Sequence, residues 1–156
     1  MGIDWKKLLL SLAVPLGVGA LASIVTGGYG LYGELIQPPL SPPGWIFPIV
    51  WTALYLLMGY ASYRVWTSPA EAPLKKKALT RYAAQLAANF LWPLLFFGAQ
   101  WYLVSLLWLA VLWVLILLTM RAFGAADERA SDLLIPYLLW VTFALYLNFG
   151  VWLLND

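Results

Sequence analysis

The chain contains no cysteine and no histidine. Without cysteine there is no disulfide, no thiolate nucleophile and no thiolate metal site. Without histidine it lacks the commonest metal ligand and the commonest general base near neutral pH. Charge is scarce as well. Only 10% of the 156 residues are Asp, Glu, Lys or Arg, and the formal net charge is +2. A soluble domain of this size needs a more heavily charged surface. The basic residues are too few and too scattered to form a nucleic-acid footprint. The residues themselves imply neither a metal nor a cofactor.

What remains is apolar and aromatic. Hydrophobic residues make up 63% of the chain, among them 10 Trp, 9 Tyr and 7 Phe, and the mean hydropathy is +0.82. Five long apolar runs stand out at 8–25, 45–66, 79–97, 102–123 and 133–154. Each matches the roughly 20 residues needed to cross a bilayer as a helix. The expected fold is an all-α membrane protein, a five-transmembrane-helix bundle forming one domain over 1–156. The first run follows Asp4-Trp5-Lys6-Lys7, a start that a signal peptide shares. It is long enough to span, and no clear small-x-small cleavage site precedes polar sequence, so it reads as the first transmembrane helix. Five spans do not divide into two similar halves, which argues against an inverted repeat of the transporter kind.

Between the first two runs lies TGGYGLYGELIQPPLSPP, from Thr26 to Pro43. Its four prolines exclude a helix and stiffen it into extended and turn conformations. A loop of that length usually has a function. It feeds directly into the second run, which opens with Trp45 and carries Pro48 in its first turn. Thr67–Lys77 and Gly124–Asp132 read as surface loops, and Gly98–Trp101 as a tight turn.

The basic residues give an orientation. All nine Lys and Arg fall on the N-terminus, on the segments after the second and fourth spans, or on helix ends beside them. The opposite side holds Glu34 and Asp156 and nothing basic. In a cytoplasmic-type membrane this predicts a multi-pass protein with its N-terminus inside and its C-terminus outside. The proline-rich loop, 26–44, then faces outside.

No ionisable residue lies mid-span, which counts against a proton- or ion-coupled pump. No nucleophile–base pair can be assembled either, so no catalytic motif is present. The polar groups inside the spans are neutral, and they cluster. Trp51 and Tyr55 share a helical face at i, i+4. Asn89, Trp92 and Phe96 share one at i, i+3, i+7, and Trp140, Ala144 and Asn148 at i, i+4, i+8. One reading is an apolar, aromatic cavity under the proline-rich loop, suited to a flat hydrophobic ligand. The other is helix glue, with amides bonding between helices and tryptophans packing or anchoring. Trp45 is either a rim contact or an anchor. Trp5, Trp66, Trp101 and Trp152 read as interfacial anchors, and Trp108 and Trp113 as packing or lipid contacts. Ala83, Ala84, Ala87 and Ala88 form small-xxx-small patterns that suit close helix approach, within a bundle or across a homodimer.

Three stretches carry a resemblance: PPLSPPGWIFPIVWTALYLLMG, QLAANFLWPLLFFG and LLIPYLLWVTFALYLNFGVWLLN. In order and spacing they resemble the signature regions of the translocator protein/tryptophan-rich sensory protein (TspO/MBR) family. The resemblance implies a five-helix bundle, often a homodimer, that binds porphyrins and other tetrapyrroles, sterols and synthetic benzodiazepine-site ligands. It implies ligand contacts at Trp51, Asn89 and Trp140, with Pro43, Tyr55 and Ala144 at further cavity positions. In some members the tryptophans matching Trp51 and Trp140 are linked to light-dependent porphyrin breakdown. Sterol-binding members place a basic residue after a Leu/Val–Tyr pair late in the last helix. Here Leu145-Tyr146 is followed by LNFGVWLLND, so that motif is incomplete. The expected function is a membrane-embedded binding or sensory protein for tetrapyrroles, with transport and light-dependent degradation as alternatives.

Overall fold

The computed structural model describes residues 2–155, and among them it is helical with no strand. Helix α1 spans Trp5–Thr26. Asp4 caps it by accepting from the Lys7 N–H at 3.2 Å, and Gly27 ends it in the left-handed conformation. The following loop holds a single 3-10 turn at Gly30–Glu34. Helix α2 spans Ile46–Trp66, α3 Ala72–Pro93, α4 Tyr102–Ala126, α5 Glu128–Asp132 and α6 Ile135–Asn155.

Among the described residues, four stretches are long and apolar enough to cross a membrane: Trp5–Thr26, Ile46–Trp66, Tyr102–Ala126 and Glu128–Asn155. The chain is an integral multi-pass membrane protein. Helix α3 is as long as the others, but Lys75, Lys76, Lys77, Arg81, Gln85 and Asn89 make it more polar.

Three boundaries differ from the sequence reading, each for a local reason. Helix α3 starts at Ala72, not Leu79, so most of the expected 67–77 loop is helical. Pro73 sits in its first turn, where the missing N–H costs nothing, and Leu and Lys are good helix formers. The expected 124–132 loop is shorter too. Helix α4 runs to Ala126, and Asp127 caps α5 by accepting from the Arg129 N–H at 3.1 Å. Asp127 also pairs with Arg64 at 2.8 Å, tying α5 to the end of α2. Before the 98–101 turn, Leu94–Gly98 widens into a π-turn. Pro93 lacks an N–H and breaks the α ladder there.

Helix α4 is the spine. Leu109, Leu112, Ile116, Thr119 and Phe123 are almost wholly buried at three- and four-residue steps. Trp108 Nε1 donates to the Ala88 carbonyl at 2.9 Å, and Trp113 Nε1 donates to Thr142 Oγ1 at 2.9 Å. Those two tryptophans fasten α4 to α3 and α6. Helix α1 is the loosest element, burying only Ser11, Pro15 and Ala22. It crosses α2 at Gly59, where a Cβ would stand 2.7 Å from the Ser11 carbonyl oxygen.

Candidate functional site

The loop after α1 folds over the ends of the helices as a lid. Gly27 and Gly28, at φ 79° and 84°, turn the chain off α1. Tyr29 then stacks on Phe47 at 5.6 Å and meets the Phe97 ring edge-on at 5.3 Å. Tyr32 packs edge-on against Phe47 at 4.9 Å, and its hydroxyl donates to Ser41 Oγ at 2.9 Å. Burial pushes the Tyr29 phenol up to about 12. Burial also raises Tyr32, against the opposing pull of its bond to Ser41.

The second half of the loop is latched to α6. Asn155 Oδ1 accepts from the Ile36 N–H at 2.9 Å, and its Nδ2 donates to the Ile36 carbonyl at 2.8 Å. The Tyr146 hydroxyl donates to the Pro39 carbonyl at 2.6 Å. Between them Pro38 rests on Gly150, where any Cβ would overlap the proline ring.

Under this lid lie two adjoining cavities. One is lined by Gly19, Tyr55 and Asn89 among others, the other by Phe47, Trp140 and Ala144 among others. Both are lined by Tyr29, Trp51, Trp92 and Phe97, so they are two halves of one site. Each half holds about 20 Å³ of free space, enough for about one water molecule. The rings close the site on themselves. Phe47 meets Trp140 edge-on at 6.0 Å, and Trp51 lies 5.7 Å from Tyr55 and 6.2 Å from Tyr137.

A directed chain of neutral hydrogen bonds backs the first half. The Tyr55 hydroxyl donates to Asn89 Oδ1 at 2.9 Å. Asn89 Nδ2 donates to the Tyr137 hydroxyl at 2.7 Å, and Tyr137 donates to Gln85 Oε1 at 2.7 Å. Tyr55 has committed its proton, so what it retains is acceptor capacity. A second hub holds the other half together. Asn148 Oδ1 accepts from Trp92 Nε1 at 3.0 Å and Ser105 Oγ at 3.2 Å, and its Nδ2 donates to the Tyr102 carbonyl at 2.9 Å.

Comparison with known proteins gives the family. The TspO/MBR family profile matches residues 11–153. The chain belongs to the TspO/MBR family. It is 39% identical to the tryptophan-rich protein TspO of Chlorobaculum tepidum, over 96% of this chain and 99% of that one. It is also 39% identical to the tryptophan-rich sensory protein of Cereibacter sphaeroides, covering 99% and 95%. With the human translocator protein it shares 38% identity, covering 91% and 85%.

Within this TspO/MBR chain, Trp51, Tyr55, Asn89, Trp92, Phe96, Trp140, Ala144 and Asn148 all line one half of the cavity or the other. Pro43 and Trp45 line neither half; both are exposed, Trp45 by 67%. Ala83, Ala84 and Ala87 are exposed on α3, while Ala88 is buried toward α4. Sequence reasoning missed Tyr137, which lies three residues before Trp140 and seven before Ala144, and so on their face. It also missed Tyr29, Tyr32 and Phe47, whose roles depend on how the loop folds back and carry no periodic signal.

Proposed function

We propose that this chain binds a flat tetrapyrrole in the cavity beneath its lid, as a membrane-embedded binding and sensory protein. The observation that carries this reading is the placing of Trp51 and Trp140 around one apolar site, with the Tyr55–Asn89 pair as its polar contact. Indole faces suit stacking on a macrocycle, and the acceptor left on Tyr55 suits a pyrrole N–H. A macrocycle needs a site in the usual range of roughly 300–1,000 Å³. Binding therefore requires the rings to part. Helix α3 is the fifth membrane span in this reading, the lid faces the side without basic residues, and Ala83, Ala84 and Ala87 form the contact of a homodimer.

The test is quenching of tryptophan fluorescence by protoporphyrin IX in lipid nanodiscs. Saturable quenching is expected, with Kd raised roughly three- to tenfold by Trp51→Phe or Trp140→Phe. Unchanged affinity in both variants and in Asn89→Ala would overturn the assignment. Transport is the second reading, favoured by relatives that carry the name translocator protein. Protein-dependent porphyrin flux into sealed proteoliposomes would support it.

A further inference from the structure

The lid closes the end of the site with hydrogen bonds and a proline seated on a glycine. The flank between α1 and α2 is closed by much less. A groove of about 290 Å³ lies there on the outside of the bundle. Its rim is formed by Ala20 and Ser23 of α1 and by Pro48 and Thr52 of α2, all exposed. Its inner wall is Trp51 and Tyr55, with Tyr29 of the lid at its end, and all three rings also line the cavity. The partition between groove and cavity is one aromatic layer thick.

The local chemistry suits an opening onto lipid. The rim side chains are small, and the Thr52 hydroxyl is turned back on the Pro48 carbonyl at 2.6 Å. The Thr52 hydroxyl therefore needs no water, whose removal in hydrocarbon would be costly, and Ser23 is the other hydroxyl on the rim. Leu21, Ile24 and Ile49, next in the chain to rim residues, are 52%, 79% and 61% exposed, so the exposed side chains of these two helix segments are largely apolar. Behind Tyr55, α1 offers only Gly19, whose missing side chain is what lets the ring lie there.

On the tetrapyrrole reading above, we infer that the ligand reaches the cavity sideways from the bilayer, through the groove between the outer halves of α1 and α2. Trp51 and Tyr55 swing aside to admit it. The lid then serves as a fixed roof. Turning two side chains takes far less rearrangement than releasing the latch on α6, and rotamer changes are also faster than loop opening.

Stopped-flow quenching by protoporphyrin IX in nanodiscs tests this. Ala20→Phe and Thr52→Phe narrow the rim without adding bulk to the inner cavity. Both are expected to slow association by roughly tenfold or more and slow dissociation in parallel, leaving Kd nearly unchanged. Ile36→Cys with Asn155→Cys, in a chain that has no other cysteine, locks the lid when oxidised. The locked protein is expected to bind at the wild-type rate. Unchanged association in both rim variants, as a groove that merely seats a lipid chain would give, overturns the inference. So does loss of association on locking the lid. In either case the binding reading survives, because wild-type quenching still saturates. No saturable quenching by the wild-type chain removes both.

Discussion

Gly19 of α1 carries the ring of Tyr55: a Cβ at Gly19 would overlap Tyr55 Cε2. The same tyrosine donates its hydroxyl to Asn89. One missing side chain on α1 therefore fixes a hydrogen bond between α2 and α3. Gly19→Ala is expected to push the ring off Asn89 and cost about 1–3 kcal/mol, the usual range for overpacking. Thermal unfolding in detergent measures it. In a Tyr55→Ala background, itself destabilised by the emptied aromatic site, Gly19→Ala should cost little more, because the clash is gone.

Tyr137 is the middle of a chain that has no slack. Tyr137→Phe keeps the ring but leaves Asn89 Nδ2 without its acceptor and Gln85 Oε1 without its donor. Leaving a buried polar atom unpaired costs about 1–3 kcal/mol. The expected outcome is a loss in that range or above it, without loss of helix content by circular dichroism.

Asn148 joins α6 to α3 and α4 through three hydrogen bonds. Asn148→Leu is roughly isosteric, yet it strands the Trp92 indole N–H, while Ser105 Oγ keeps its 2.9 Å bond to the Tyr102 carbonyl. A fall of about 1–3 kcal/mol is expected. The Trp92 indole should also report a changed fluorescence maximum, which separates a local effect from general loosening.

The latch predicts a local opening. Asn155→Ala removes both bonds to Ile36. Amide exchange at Ile36 is expected to speed up by roughly tenfold for each 1.4 kcal/mol of latch stability lost. Core amides around Leu112 should be unaffected. Equal acceleration everywhere would show that the latch supports the whole bundle.

The lid should also weaken in alkali. Tyr29 and Tyr32 hold their protons above the usual value of 10 because they are buried. Above that pH the unfolded chain releases protons that the folded chain keeps, so stability falls as pH rises. The contribution of Tyr29 is whole below pH 10 and is lost by about 12. Thermal midpoints should be flat below that range and decline within it, with a shallower decline in Tyr29→Phe.

Much of the architecture was legible because membrane helices announce themselves by length and hydrophobicity. The shared faces of Trp51 with Tyr55, and of Asn89 with Trp92, followed from helical spacing alone. Helix periodicity also contained Tyr137, but a tyrosine next to Pro136 at a helix start resembles an interfacial anchor. The start of α3 at Ala72 was hidden by lysines and a proline that read as loop, although proline is at home in a first helical turn and lysine is a good helix former. The lid's attachments were not legible at all. Ile36 and Asn155 are 119 residues apart, and nothing in either residue type names the other.

That separation has a consequence for assembly. The lid is synthesised near the start of the chain, and its anchors on α6 arrive last. Until Tyr146, Gly150 and Asn155 are inserted, the loop has nothing to close against. Long-range contacts of this kind form late. The aromatic chamber therefore stays unroofed while the first helices insert, and it is sealed by the final helix. A ligand present in the membrane during biogenesis meets an open vessel, whereas one arriving later meets a finished protein.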